Sequence, residues 1–152
     1  YWPLRGNDIV WIWVALTDVS VEPSGLEYAA GPYVGRKWYR AITPDQDPAR
    51  MDMSAPVCPD FSDPRNRTGD VRILSWDMKA GDCICHHPLA VHGSGGNRSK
   101  TQRRLALSVC YMGADAIWDP RPQAVKLPGN PQFPAGRRPE DEAMFPTAWA
   151  EA

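Results

Sequence analysis

All three histidines of this 152-residue chain, His86, His87 and His92, fall within seven residues of one another. His92 is followed at once by Gly93-Ser94-Gly95-Gly96-Asn97, and Arg103 stands eleven residues beyond it. Imidazole is the commonest metal ligand among side chains, so the cluster is a candidate metal site. Two strands lying as antiparallel neighbours, joined by the glycine-rich loop, would bring His92 and Arg103 to one cavity. An acidic co-substrate then chelates the metal with one end and meets Arg103 with the other. Arg104 competes for that role, but strand alternation sets it on the opposite face. A lone histidine is more often structural than a ligand, so His87 reads as a packed or hydrogen-bonded strand residue and His86 as structural or exposed. Asp82, at the end of a turn, is expected to satisfy backbone donors.

Four cysteines, Cys58, Cys83, Cys85 and Cys110, form no dense framework, and two sit two residues apart inside an apolar run. Reduced thiols in a cytoplasmic protein are the simplest reading. Cys83, Cys85 and His87 would project from one strand face as competent zinc ligands. A Cys-x-Cys pair on a straight strand nonetheless closes a tetrahedral site awkwardly.

The elements that must hold these groups are strands. Asp8 to Leu16 is a near-continuous β-branched and aromatic run, as expected of a central strand buried on both faces. Glu22-Pro23-Ser24-Gly25 is a turn, Leu26 to Ala29 a short returning strand, and Gly31-Pro32 a break. Val71 to Trp76, Cys83 to His92 with a bend at Pro88, and Gln102 to Tyr111 are three further strands. In the last of these Arg103, Leu105, Leu107, Val109 and Tyr111 share a face, so a charge leads an apolar stripe. Ile42 to Gly69 has no clear period and is expected to be a lid or substrate loop. A proline-rich tail from Asp119 to Ala152 is expected to wrap the surface.

Composition narrows the function classes. Glycine and proline make about 18% of the chain, above the ordinary ~12%, which favours strands and turns over long helices. A formal net charge of -1 removes the electrostatic case for nucleic acid or an anionic membrane as partner. The longest apolar stretch, Ile9 to Leu16, is far short of the roughly 20 residues a bilayer requires. The seven tryptophans are chiefly packing residues, with Trp2 and Trp38 as candidates for substrate contact.

The stretch Gly81-Asp82-Cys83-Ile84-Cys85-His86-His87-Pro88-Leu89-Ala90-Val91-His92-Gly93-Ser94-Gly95-Gly96-Asn97, with Arg103 after it, resembles the distal half of the phytanoyl-CoA dioxygenase family signature. Tyr1-Trp2-Pro3-Leu4-Arg5, the strand end Trp13-Val14-Ala15-Leu16-Thr17-Asp18-Val19 and the turn Ser24-Gly25-Leu26-Glu27 are similar to the segment that follows the family's first iron motif. Phe145-Pro146-Thr147-Ala148-Trp149 resembles the closing motif of bacterial members. The resemblance implies a mainly all-β chain with the double-stranded β-helix, a cupin-like jelly roll. It also implies non-haem Fe(II), with 2-oxoglutarate and dioxygen used to hydroxylate a small-molecule substrate. His92 is then the distal iron ligand, Arg103 binds the far carboxylate of 2-oxoglutarate, Ser94 assists there, and Trp13 lines the co-substrate pocket. No catalytic residue is expected beyond the metal centre.

Two departures from the family pattern stand out. The family's His-x-Asp motif would align with its Asp three residues before Tyr1, and no histidine precedes His86. Residues 1–152 are therefore expected to be the C-terminal part of a single such domain, incomplete at its N-terminus, inactive alone and marginally stable. Gly31-Pro32-Tyr33 also stands where the family usually has Gly-Ser-His, which touches substrate contacts rather than the metal. Two other functions remain open: a non-catalytic jelly-roll binding module, and a zinc-binding β domain using Cys83, Cys85 and His87. Neither substrate identity nor oligomeric state is legible.

Overall fold

The structure, a computed structural model, describes residues 2–31, 37–40, 51–122 and 124–149. Pro32 of the expected Gly31-Pro32 break and the first part of the Ile42 to Gly69 loop lie outside them. Among the described residues eight strands run in chain order: β1 (Leu4–Arg5), β2 (Ile9–Ala15), β3 (Glu27–Ala30), β4 (Arg72–Leu74), β5 (Cys83–His86), β6 (His92–Gly93), β7 (Ala106–Met112) and β8 (Ile117–Trp118). One helical turn, α1 (Val21–Ser24), and a 3-10 turn, Pro64–Asn66, are the helical pieces among the described residues. No helix there is long and apolar enough to cross a membrane.

The chain divides into two compact units. One comprises Ile9–Arg40 and Ser54–Tyr111, and it carries both three-stranded sheets, apart from the last residue of β7. In the first sheet β2 lies between β5 and β7; in the second β3 lies between β4 and β6. The path from β2 to β3 and β4, back to β5, over to β6 and back to β7 alternates between the sheets, which is the winding of a double-stranded β-helix. β2 is central because its β-branched and aromatic residues suit burial on both faces.

Antiparallel register sets the faces. Trp11 lies opposite His86, Ile12 opposite Cys85, Trp13 opposite Ile84 and Val14 opposite Cys83. Opposed residues share a face, so Trp11, Trp13, Ala15, Ile84 and His86 point one way and the two cysteines the other. Ala15, Val19 and Met78 form a buried cluster against which Trp13 and Ile84 pack. Val19 and Met78 exchange both backbone hydrogen bonds at 2.9 Å. In the second sheet Tyr28 lies opposite both Leu74 and His92, and Glu27 opposite Gly93.

Four sequence expectations are corrected here. The predicted single strand Cys83 to His92 is two strands in different sheets, β5 and β6. Pro88 has no N–H to offer a ladder, and residues 87–91 carry the chain across. His92 and Arg103 consequently do not lie on antiparallel neighbours: β6 pairs with β3, while the strand after Arg103 pairs with β2. Gln102 to Tyr111 becomes Ala106–Met112, and Glu22-Pro23-Ser24 lies within the one-turn helix α1, with Gly25 as its C-cap, rather than in a simple turn.

The other unit comprises Tyr1–Asp8, Ala41–Met53 and Met112–Ala152. Here β1 pairs antiparallel with β8, Leu4 opposite Trp118. The Asp115 carboxylate accepts the backbone N–H groups of Asn7 at 2.7 Å and Asp8 at 2.8 Å. Phe133 meets Trp118 edge-on at 5.1 Å between ring centres and Phe145 at 5.7 Å, so part of the proline-rich segment folds back on β8.

Gly113 follows β7 where the backbone passes against Asp8, and its N–H donates to the Asp8 carbonyl. A Cβ at Gly113 would collide with the Asp8 Cβ and stand 2.8 Å from the Asp8 carbonyl oxygen. Gly113→Ala is therefore expected to cost about 1–3 kcal/mol of overpacking, read as a lowered denaturant midpoint. Gly95→Ala, with nothing within 4 Å of the added carbon, is expected to stay within about 0.5 kcal/mol.

Candidate functional site

The two sheets of the larger unit bring three rings together. His86 enters from β5, and Tyr28 and His92 from the β3–β6 pair. Ring centres lie 4.7 Å apart for His86 and His92, 5.4 Å for Tyr28 and His86, and 5.3 Å for Tyr28 and His92, the last pair nearly parallel at 21°. Tyr28 is buried, with 7% exposure, and its hydroxyl has no hydrogen-bond partner among the described residues. Burial pushes its pKa up to about 12, so the phenol keeps its proton. Burial, with smaller contributions from the neighbouring imidazoles His92 and His87, holds His86 below the usual histidine value, which favours the neutral ring at pH 7.

Backbone contacts separate the three histidines by tautomer. Nδ1 of His92 lies 2.8 Å from the Ala90 carbonyl oxygen, and Nδ1 of His86 lies 3.1 Å from the His87 carbonyl oxygen. A carbonyl only accepts, so in both rings Nδ1 carries the proton and the neutral ring presents a lone pair at Nε2. His87 is the reverse: its Nδ1 accepts the Leu89 N–H at 3.1 Å, which leaves the proton on Nε2. The sequence reading of His87 as a hydrogen-bonded residue agrees with this contact. His86, read as structural or exposed, is half-buried and faces His92. Its pairing with Trp11 is the signal that would have found it, because Trp11 and Trp13 share the inward face.

The residues expected at the co-substrate carboxylate fall around Arg104. Its guanidinium donates to the Ser24 carbonyl at 2.8 Å and to Ser94 Oγ at 3.3 Å, and lies 5.9 Å from the centre of the Trp13 ring. That distance is within the range of a cation–π contact. Arg103 has an exposed side chain, and its carbonyl accepts the Thr17 hydroxyl at 3.2 Å. The reason is the pairing with β2. Leu16 N–H donates to the Leu105 carbonyl at 2.9 Å and Leu105 N–H donates to Thr17 Oγ1 at 3.0 Å, which puts Arg104 on the Trp13 face. Leu105, Leu107 and Tyr111, which continue the Arg103 face, are exposed.

The loop after His92 is held by its own polar groups. Ser94 Oγ accepts Gly96 N–H, Asn97 Nδ2 donates to the Gln102 carbonyl at 2.7 Å, and Arg98 N–H donates to the Pro23 carbonyl at 2.7 Å, tying the loop to α1. Asp82 accepts Lys79 N–H at 2.7 Å, the backbone role expected of it.

As metal donors, His92 and His86 fit a borderline divalent cation through nitrogen. Among the described residues no three His, Cys, Asp or Glu side chains are grouped to hold a metal ion. A zinc site of Cys83, Cys85 and His87 therefore has no ligand set there. Both cysteines are exposed on the face away from His86.

The family model for phytanoyl-CoA dioxygenase (PhyH) matches residues 1–105. No curated protein matches the chain. Among solved structures, it is similar to the non-heme alpha ketoglutarate dependent carbocyclase SnoK from nogalamycin biosynthesis, at 29% identity and a TM-score of 0.62 over 92% of this chain and 49% of SnoK. It is also similar to the epimerase SnoN from the same pathway, at 26% identity and a TM-score of 0.59 over 93% of this chain and 50% of SnoN. A SnoN complex with Fe3+, alpha ketoglutarate and nogalamycin RO matches at 28% identity and a TM-score of 0.61, over 93% of this chain and 51% of SnoN. The chain thus spans about half the length of the structures it matches.

The orphaned Tyr28 hydroxyl makes a stability prediction. A buried hydroxyl without a partner carries its desolvation cost uncompensated, about 1–3 kcal/mol. Tyr28→Phe is expected to leave stability unchanged or raise it by about 1 kcal/mol, measured as the chemical denaturation midpoint. A loss of more than that amount would mean the hydroxyl is satisfied in solution.

Proposed function

The chain belongs to the phytanoyl-CoA dioxygenase family, and on that premise we propose that it serves a non-haem Fe(II)- and 2-oxoglutarate-dependent oxygenase that hydroxylates a small molecule. The observation that carries this reading is His92, whose Nδ1–H is donated to the Ala90 carbonyl and whose Nε2 lone pair is left for a cation. A carbonyl partner of this kind orients metal-binding histidines and raises their basicity. The SnoN complex, holding Fe3+ and alpha ketoglutarate, supports iron and 2-oxoglutarate as cofactors and a small molecule as substrate. SnoK and SnoN are a carbocyclase and an epimerase, so hydroxylation is the finer part of the proposal and oxygenase-type chemistry the broader one.

Bound iron with 2-oxoglutarate and dioxygen supplies the oxidising power needed to attack an unactivated carbon. The chain's own work is positioning. His92 contributes one nitrogen ligand; the resemblance puts the remaining histidine and carboxylate in a His-x-Asp motif preceding Tyr1. We accordingly place residues 1–152 in the C-terminal part of one such domain, with residues 119–152 as its tail. An arginine clamps the far carboxylate of the co-substrate. The family spacing favours Arg103 for this role, and the contacts with Ser94 and Trp13 favour Arg104. Tyr28 keeps the His92 ring in place by stacking on it.

The test uses the protein expressed from its complete reading frame, supplied with Fe(II) and 2-oxoglutarate, and follows succinate formation. His92→Ala is expected to abolish it. Absence of succinate in the wild type would favour a non-catalytic binding module instead.

The arginine that clamps the carboxylate is identified by its 2-oxoglutarate dependence. Losing a hydrogen bond to a charged group costs about 1.5–3 kcal/mol, so its alanine variant should need about 10- to 150-fold more 2-oxoglutarate. The other arginine should leave the requirement within about threefold. Measuring the 2-oxoglutarate KM of Arg103→Ala and Arg104→Ala side by side decides between them.

A further inference from the structure

We propose that the outward face of the first sheet, where β2 lies between β5 and β7, is the seat of the polypeptide that precedes Tyr1 in the full-length protein, and that this segment covers Cys83 and Cys85. The assignment rests on the placement of residues 1–152 in the C-terminal part of one domain, and it names the surface that the rest of that domain occupies.

The face is assembled strand by strand. Register sets Ile12 opposite Cys85 and Val14 opposite Cys83, so these four side chains point away from Trp13. On the other side of β2, Arg104 lies 5.9 Å from the centre of the Trp13 ring. Alternation therefore turns Leu105 and, on β7, Leu107 outward with Ile12 and Val14. Leu16 follows Val14 on the same face, and its N–H donates to the Leu105 carbonyl. From Ile12 to Leu16, Cys83 to Cys85 and Leu105 to Leu107, every outward position is apolar or a thiol.

A face of this composition is built for burial. Leu16, Leu105 and Leu107 are nonetheless 45–53% exposed. The inward face already has its packing, with Trp13 and Ile84 against the buried cluster of Ala15, Val19 and Met78. Soluble monomers rarely present a contiguous apolar patch, and a hydrophobic sheet face is stable when a second layer covers it. Interfaces that form and separate are about as polar as the rest of a protein surface, whereas permanent ones resemble a domain interior. The three strands carry no charge across these positions, so the occupant is a permanent one.

Length and tethering identify that occupant. About half of SnoK and of SnoN lies outside the part that this chain covers, which is enough polypeptide for a further layer. The resemblance puts the His-x-Asp motif in the stretch before Tyr1, so that stretch belongs to the same domain. A segment joined to the sheet by its own backbone meets the face at a high effective concentration, ahead of a second copy of the chain.

Thiol labelling of the native protein, expressed from its complete reading frame, tests the cover. N-ethylmaleimide is applied in buffer and in urea, and peptide mapping by mass spectrometry follows each cysteine. Cys83 and Cys85 are expected to react at least about 100-fold more slowly in buffer, because a covered thiol is reached only through local opening. The photoreactive residue p-benzoylphenylalanine, placed at position 111 on the Leu107 face, identifies what lies there; position 107 is the second site should the first variant fail to fold. Protection, with crosslinks inside one polypeptide to peptides preceding Tyr1, supports the proposal. Labelling within about tenfold of the urea rate overturns it, since the face is then open. Covalent dimers, with protection lost on dilution, overturn it in favour of a second copy, and protection without a crosslink to the preceding segment overturns it as well. Succinate formation by the same preparation reports separately on the enzyme reading: its absence alongside protection and those crosslinks would sink that reading and leave the covered face standing.

Discussion

The candidate site depends on the register between β2 and β5. With Trp11 opposite His86 and Trp13 opposite Ile84, the inward face of the sheet carries an imidazole and two indoles, and the outward face carries Cys83 and Cys85. Side chains alternate along a strand, so a slip of one residue exchanges the two faces completely. It would turn the thiols toward Tyr28 and His92 and send His86 to solvent. The register is secured beyond the strands themselves by the turn that precedes β5, where Asp82 accepts Lys79 N–H, Ala15 N–H donates to the Asp82 carbonyl and Gly81 N–H donates to the Ala15 carbonyl. The buried contact of Ala15 with Val19 and Met78 anchors the same end.

Given that register, backbone carbonyls do the finer work. Three histidines within seven residues have equal intrinsic chemistry, and the carbonyls and N–H groups around them make them unequal. His87 sits where the chain leaves β5 and receives an N–H from Leu89. His86 and His92 each meet a carbonyl instead. The difference follows from the crossing between sheets: Pro88 stops the ladder, the chain turns with Ala90 N–H donating to the His87 carbonyl, and the ring at the end of β5 and the ring at the start of β6 are brought within 4.7 Å of one another, tilted at 56°, from opposite sheets.

The parts of the structure legible in the sequence are those determined by a run of side chains. β2 could be read from Ile9 to Ala15 because β-branched and aromatic residues fill it, and the clustering of histidines, the glycine-rich loop and the following arginines marked the region of the site. What could not be read depends on partners. Pro88 signals an interruption, but whether a strand bends or changes sheets is decided by which edge is open. Arginine parity was correct along the strand, yet the inward face was chosen by Leu16 and Thr17 through their contacts with Leu105, and an apolar stripe of Leu105, Leu107 and Tyr111 was left exposed. Two-residue strands such as β1 and β8 carry no period to detect; their pairing rests on Asp115 bonding Asn7 and Asp8.

The polar groups at the site run against the ordinary logic of a core. A buried phenol without a partner among the described residues and a half-buried imidazole held neutral each cost free energy that an apolar pair would not. Leu or Phe at those positions would suit the packing between two sheets, and the surrounding Trp11, Trp13 and Ile84 show that apolar residues are accepted there. Local rules of this kind are broken where function requires it, and here the breaches coincide: Tyr28, His86 and His92 touch one another, come from both sheets, and include the one histidine that the family signature assigns to iron. Conversely, Cys83 and Cys85 break no rule on their exposed face, where the two thiols lie beside one another in contact with water. The free-energy cost is therefore concentrated in one cluster of three touching rings, a distribution not expected of a sheet packed for stability alone.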